Sequence, residues 1–355
     1  MTDARKLLAR LVTILALLLG GLALAGTPTA AAANTTTICG YTQVPNGWVI
    51  TSEQWSGCSG YGLFTITELG DSTGINACSN TPMPAGWVIT AMRSNAGCGS
   101  YPLYTLLKVT NQTTLQDCGQ SWIPPGWIIT AIQTVSPACG TYSTYTVAYV
   151  WTVQISAQAC GNSTIPAGWV ITAVQNNAGC GSYPLYTIQR LTTQATLQVC
   201  GQSWIPDGWI TTAIDTNSAA CGTYGTYTLV TVPFSQNTVQ ACANSAVPAG
   251  WVITAQQSNA GCGSYPRYTL VRITTQTTLL VCGQSTVPDG WVITGVQSGG
   301  SSCGVYFAFT LTKVTTQTSM QVCGLSPVPA GWTVTGQGSG SQCGVYTVSV
   351  ITKTA

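Results

Sequence analysis

The sequence predicts an all-β protein of eight tandem modules, each about forty residues long and braced by disulfides. Three observations carry this. Sixteen cysteines recur 19 to 21 positions apart. A Pro-x-Gly-Trp follows every second cysteine. The segments between turns are short, β-branched and aromatic, and none shows a helical apolar period. Repetition at a fixed period decides a fold before local propensity does.

The chain opens on a targeting segment. Arg5, Lys6 and Arg10 make a basic start, Leu11–Leu19 an apolar run, and Ala31, Ala32 and Ala33 a small-residue cleavage site before Asn34. Residues 1–33 therefore read as a secretory signal peptide, and 34–355 as a single repeat domain released outside the cell. The apolar run breaks at Gly20 and Gly21, short of the roughly 20 residues a bilayer span needs. No second run follows, so no membrane span is expected. The leader holds Arg5, Lys6, Arg10 and Asp3; without them, 10 basic and 8 acidic residues become seven of each. A neutral surface with so few charges argues against nucleic acid and against anionic membrane surfaces, both of which need clustered Lys and Arg.

The modules open at Cys39, Cys78, Cys118, Cys160, Cys200, Cys242, Cys282 and Cys323. Mid-module cysteines are Cys58, Cys98, Cys139, Cys180, Cys221, Cys262, Cys303 and Cys343. Each Pro-x-Gly-Trp, from Trp48 to Trp332, is followed three residues later by a Thr and then by a small residue. A Tyr stands three residues after every mid-module cysteine, from Tyr61 to Tyr346. A second period of about 82 residues pairs the modules, since Ser-Trp-Ile-Pro recurs at Trp122 and Trp204.

Within one module, Trp169–Ala173, Leu185–Leu191 and Thr196–Cys200 read as three short antiparallel strands of a meander. The first is apolar on both faces, with Trp169, Ile171 and Ala173 on one and Val170 and Val174 on the other. A strand with one wet face would alternate with polar residues, so each sheet should be covered on both sides. The small residue after the Thr suits the close approach of another sheet or backbone. In this frame the last module, ending at Ala355, lacks its third strand, and Thr35–Cys39 looks like that strand. The N-terminus would then latch the eight modules into a propeller-like ring, which removes sheet edges. A linear array of modules is the alternative.

An even cysteine count in an exported chain reads as a disulfide framework; zinc would want closer pairs. Two frameworks use every cysteine. In the latched meander, the end of the third strand lies beside the turn between the first two. That pairs Cys58–Cys78, Cys98–Cys118, Cys139–Cys160, Cys180–Cys200, Cys221–Cys242, Cys262–Cys282 and Cys303–Cys323, leaving Cys39–Cys343 to close the ring. This is the favoured framework. The other pairs cysteines within each module, from Cys39–Cys58 to Cys323–Cys343.

The chain has no histidine, which removes the Ser-His-Asp triad and the commonest metal ligand. The carboxylates after the leader are Glu53, Glu68, Asp71, Asp117, Asp207, Asp215 and Asp289. Asp207 and Asp289 occupy equivalent Pro-Asp-Gly turns of separate modules, where Asp is a turn residue. Glu53, Glu68 and Asp71 cluster in the first module. No phosphate loop or calcium loop appears, so the expectation is no catalysis, no metal and no cofactor. Low charge with many aromatics, amides and hydroxyls suits carbohydrate: a sugar offers an apolar face to a ring and hydroxyls to polar side chains. Eight modules on one body would add avidity. The recurring Trp opens an apolar strand and is expected in the core. Aromatics that break the repeat, Trp55, Trp122, Trp151 and Trp204, are the candidate ligand-binding residues. The competing expectation is a structural or adhesive coat or matrix protein that self-associates.

Overall fold

The computed structural model describes residues 34–94, 97–151, 154–176, 179–232, 235–258, 261–298 and 302–354. The leader assigned to residues 1–33 lies outside the described residues. The chain forms eight three-stranded antiparallel sheets, one per module, each braced by one disulfide. Two compact units are present: one ends at Trp87 and adds Met92–Val109, and the other is Val88–Ala91 with Thr110–Ala355.

The sheet beginning at Thr196 shows the plan. An opening strand, Thr196–Cys200, and a Trp strand, Trp209–Asp215, both pair antiparallel with a central strand, Thr226–Thr231. The frame therefore differs from the sequence expectation by one strand. Thr196–Cys200 does not end the sheet begun by Trp169; it starts the next one. The reason is degeneracy. Central strands of neighbouring modules repeat one pattern, Tyr-Thr and then an aliphatic residue (Tyr186, Thr187, Ile188 and Tyr227, Thr228, Leu229), so they offer the same kind of edge, and the residue pattern cannot choose between them.

Moving the frame completes both ends. Thr35–Cys39 pairs with Tyr61–Glu68 in its own sheet, from Thr35↔Thr67 to Cys39↔Leu63. The last sheet contains Ser319–Cys323, Trp332–Gly338 and Val348–Lys353. Neither sheet lacks a strand, so the expected N-terminal latch does not form. No sheet among the described residues closes on itself.

The disulfides follow the same correction. They are Cys39–Cys58, Cys78–Cys98, Cys118–Cys139, Cys160–Cys180, Cys200–Cys221, Cys242–Cys262, Cys282–Cys303 and Cys323–Cys343. The favoured pairs Cys58–Cys78, Cys98–Cys118, Cys139–Cys160, Cys180–Cys200, Cys221–Cys242, Cys262–Cys282, Cys303–Cys323 and Cys39–Cys343 are absent. The geometric premise holds, but it applies to the next hairpin. An opening strand does end beside the turn between two other strands. Those are the Trp and central strands that follow it, so Cys200 meets Cys221 rather than Cys180.

Three repeated residues now have physical roles. In each Pro-x-Gly-Trp, the Trp N–H donates to the Pro carbonyl, as Trp169 does to Pro166 at 3.1 Å. This β-turn needs positive φ at its third residue, and Gly168 stands at φ 80°. The Thr three residues after the Trp is the extra residue of a β-bulge, as Thr172 is between Ile171 and Ala173. Its hydroxyl donates to a central-strand carbonyl, Thr172 Oγ1 to Thr187 O at 3.3 Å. The Trp itself is core: Trp87, Trp127, Trp169, Trp209, Trp251 and Trp291 are all buried.

Modules are joined by a repeated device. The main-chain N–H two residues after each of the first seven Pro-x-Gly-Trp tryptophans donates to a hydroxyl three residues after the next opening cysteine. The pairs are Ile50–Thr81, Ile89–Ser121, Ile129–Ser163, Ile171–Ser203, Thr211–Ser245, Ile253–Ser285 and Ile293–Ser326, at 2.5 to 3.1 Å. A second bond runs from the N–H five residues after the Trp to the carbonyl preceding the next mid-module cysteine. Examples are Glu53 to Gly97, Ile132 to Gly179, Ile214 to Gly261 and Gln256 to Ser302. Side chains follow: Ile171 and Ile188 pack on the Cys200–Cys221 disulfide, and Ile50 and Ile66 on Cys78–Cys98. Both apolar faces of the Trp strand are thus covered by neighbouring modules: Trp169 clusters with Ile128 of the preceding module, and Val170 with Val199, Trp209 and Leu229 of the next.

The Ile171 amide and Ser203 are buried, so losing the hydroxyl orphans a buried donor. Ser203→Ala should lower stability by about 1–3 kcal/mol, while Ser203→Thr should cost far less, because Thr81 plays the same part. Denaturant titration of the two variants checks this; equal losses would show that the hydroxyl bond is not what matters.

Candidate functional site

A row of paired tyrosines runs along the second unit at the cysteine ends of its sheets. Tyr145, Tyr186, Tyr227 and Tyr268 are each the second residue of a central strand and are half-buried. Each lies close enough to interact electrostatically with the tyrosine after the next mid-module cysteine: Tyr183, Tyr224, Tyr265 and Tyr306 respectively. These partners are 41 to 52% exposed. The sheet fixes the inner ring, and the Cys-Gly turn, pinned by a disulfide and by the bond between modules, presents the outer one. Burial raises the hydroxyl pKa of all four inner tyrosines, and the neighbouring tyrosine adds to the rise. They stay neutral donors at ordinary pH.

An amide completes each of three pairs. Asn162, Gln202 and Gln284, two residues after an opening cysteine, lie near Tyr145, Tyr186 and Tyr268, and each works against the rise in its tyrosine's pKa. Asn162 Oδ1, Gln284 Oε1 and both polar atoms of the Gln202 side chain are buried with no hydrogen-bond partner. Each of these three joints therefore offers two rings of different depth, phenol donors and an amide, without a formal charge among them. Such a set can stack on and hydrogen-bond a polyol. It lacks the facing carboxyls that glycoside hydrolysis needs.

One joint departs from this neutrality. Asp117, beside Tyr145 across the sheet, is fully buried, and neither carboxyl oxygen has a hydrogen-bond partner. Burial pushes its pKa from 3.8 up to about 7. Perturbed acids often mark catalytic sites. This one is sealed from solvent, at a position that holds Ile38, Ala77, Ala159, Val199, Ala241, Val281 and Val322 in the other modules. Aligning the modules column by column exposes it; scanning carboxylates by motif does not.

The tryptophans singled out in the sequence are all exposed. Trp55 is 73% exposed, Trp122 55%, Trp151 45% and Trp204 69%. Trp122 and Trp204 occupy equivalent positions, each next to the serine that joins its module to the preceding one. Trp151 ends an aromatic ladder in which Trp127 meets Tyr149 at 5.8 Å and Tyr149 meets Trp151 at 5.5 Å. Trp55 lies in the first unit beside Glu53: a Cβ placed on Gly99 would sit 3.1 Å from Trp55 Nε1 and 3.3 Å from Glu53 Oε2.

The first-module carboxylates are separated too. Glu53 pairs with Phe64 and Glu68 with Trp48, at opposite ends of one sheet. Glu68 accepts a hydrogen bond from Asn34 at 2.6 Å. It lines a cleft of about 530 Å³ with Lys108, Trp48, Trp87 and Met83. The repeat pattern could locate each tyrosine, but only the shifted frame shows that they pair across modules.

No family model matches the chain, and neither curated proteins nor solved structures yield a match. No described helix is long and apolar enough to cross a membrane.

Proposed function

We propose that this is a secreted, non-catalytic binding protein that recognises extracellular or cell-surface carbohydrate through many weak, equivalent sites. The observation that carries this reading is the repeated pair of a half-buried and an exposed tyrosine with its amide. Eight disulfides fit an oxidising compartment. Rigid equivalent sites on one body raise avidity without tightening any single contact. Trp122 and Trp204 add a second pair of exposed rings at equivalent places.

The test is retention of the oxidised protein on insoluble cell-wall polysaccharides and on a glycan array, with competition by free sugar. Tyr183→Ala with Tyr224→Ala should weaken retention at least tenfold, since each ring contributes on the order of 1 kcal/mol and sites act together. Trp122→Ala with Trp204→Ala should weaken it independently. Binding that survives both double variants places the ligand elsewhere; a folded protein that binds no glycan ends the reading.

A structural or adhesive coat protein is the second reading. What favours it is the state of the two terminal modules, whose outward faces carry the residues of a joint that the rest of the chain buries. Neither reading requires the modules to close into a ring.

A further inference from the structure

We infer that the protein assembles head to tail, the free face of its last module receiving the first module of a second copy. The inference does not depend on the carbohydrate reading. It rests on continuity with the joint that the chain already makes between its own modules.

At the last Trp strand, Val334 occupies the place of Ile50, Ile89, Ile129, Ile171, Ile253 and Ile293. Those residues are 1 to 5% exposed, whereas Val334 is 43% exposed. Neither its N–H nor that of Gln337 makes the bond to a following module that its counterparts make elsewhere. The strand is an unpaired edge with an uncovered apolar side chain, the kind of surface that invites association.

The first module carries the other half. Thr42 stands where Thr81 accepts the Ile50 amide, and it is exposed while Thr81 is buried. Gly57 stands where Gly97 offers its carbonyl to Glu53, and it too is exposed. Cys39 is half-buried, whereas Cys78, Cys118, Cys160, Cys200, Cys242, Cys282 and Cys323 are all fully buried. Docking would put the Val334 amide on Thr42 Oγ1, the Gln337 amide on the Gly57 carbonyl, and the Val334 side chain on the Cys39–Cys58 disulfide. The two faces belong to opposite ends of the chain, so the contact is heterologous. Each added copy presents a fresh end, and growth does not stop at a dimer.

The end joint carries a polar residue at a position that is apolar in all the internal ones. Thr333 stands where Val49, Val88, Ile128, Val170, Ile210, Val252 and Val292 are buried. A hydroxyl there weakens the contact, which makes assembly reversible on dilution.

Sedimentation velocity of the oxidised full chain over a concentration series tests this. The expected result is a run of species beyond the dimer that grows with concentration and dissolves on dilution. Thr333→Val should shift the series to about tenfold lower concentration, because it removes an exposed hydroxyl that docking would bury. Val334→Arg blocks one end and Thr42→Lys the other. Each variant alone should be monomeric, and the two mixed should give a one-to-one pair and nothing larger. Thr42→Val, which removes only the acceptor oxygen, covers the case in which Thr42→Lys does not fold. A wild-type chain that stays monomeric at every concentration, stops at a dimer, or associates equally well as Val334→Arg overturns the inference.

Discussion

Asp117→Val should make the protein more stable at pH 8 than the wild type, by up to about 4 kcal/mol, and the advantage should shrink towards pH 4. The carboxyl is buried without a hydrogen-bond partner, and its pKa in the folded chain is about 7 against 3.8 when unfolded. Between those values the folded chain holds a proton that the unfolded chain has released. Stability therefore falls as pH rises from about 4 to about 7 and is flat above. Each unit of difference is about 1.4 kcal/mol, which sets the upper figure. At pH 8 the melting temperature of the valine variant should lie about 8 °C above the wild type. Six other modules carry Ala or Val at this position and Ile38 fills the remaining one, so valine introduces no new shape. Asp117→Asn separates the two parts of the effect: it should abolish the pH dependence yet remain less stable than valine, because the amide is still buried. Thermal melts of the three proteins from pH 4 to 8 decide it. A wild type whose stability is flat over that range would mean that the carboxylate reaches water or a partner, and the account would fail.

What the sequence discloses divides along a physical line. Features set within a few residues were legible: the Pro-x-Gly-Trp turn, the β-branched strands, the even cysteine framework and the buried recurring Trp all follow from local chemistry. Features that depend on which copy of the repeat pairs with which were not. Cys200 sits 20 residues from Cys180 and 21 from Cys221, and spacing cannot rank two nearly equal loops. Thr35–Cys39 resembled a missing last strand for the same reason, because every opening strand resembles every other. The candidate site suffered likewise. Tyr145 and Tyr183 are both visible in the pattern, but their contact crosses a module boundary whose position was misplaced. Trp122 and Trp204 stood out because they break the pattern, and they are indeed exposed. Asp117 breaks it too, in a column that only becomes meaningful once the opening strand is known to be buried.

The largest loss of stability should come from replacing both Cys200 and Cys221 by alanine. Both are fully buried, and their disulfide serves two modules at once. It closes a loop of 21 residues, worth about 3 kcal/mol in constrained unfolded chain. It is also the surface on which Trp169, Ile171 and Ile188 of the preceding module pack. Two alanines leave a void there, and the lost contacts add to the loop term. Because each module touches mainly its sequence neighbours, stability is close to a sum of modules and joints, and damage at one joint divides the stack. Calorimetry should therefore show more than a lowered melting temperature. A separate early transition should appear, and hydrogen exchange should accelerate in residues 169–175 and 209–215 before it does in 291–297. The same experiment bears on connectivity. If Cys200 were bonded to Cys180 instead, the variant would release Cys180 and Cys242 as free thiols, detectable by alkylation of the folded protein. With the pairing described here no thiol appears, and the loss of stability belongs to one staple and the joint it supports.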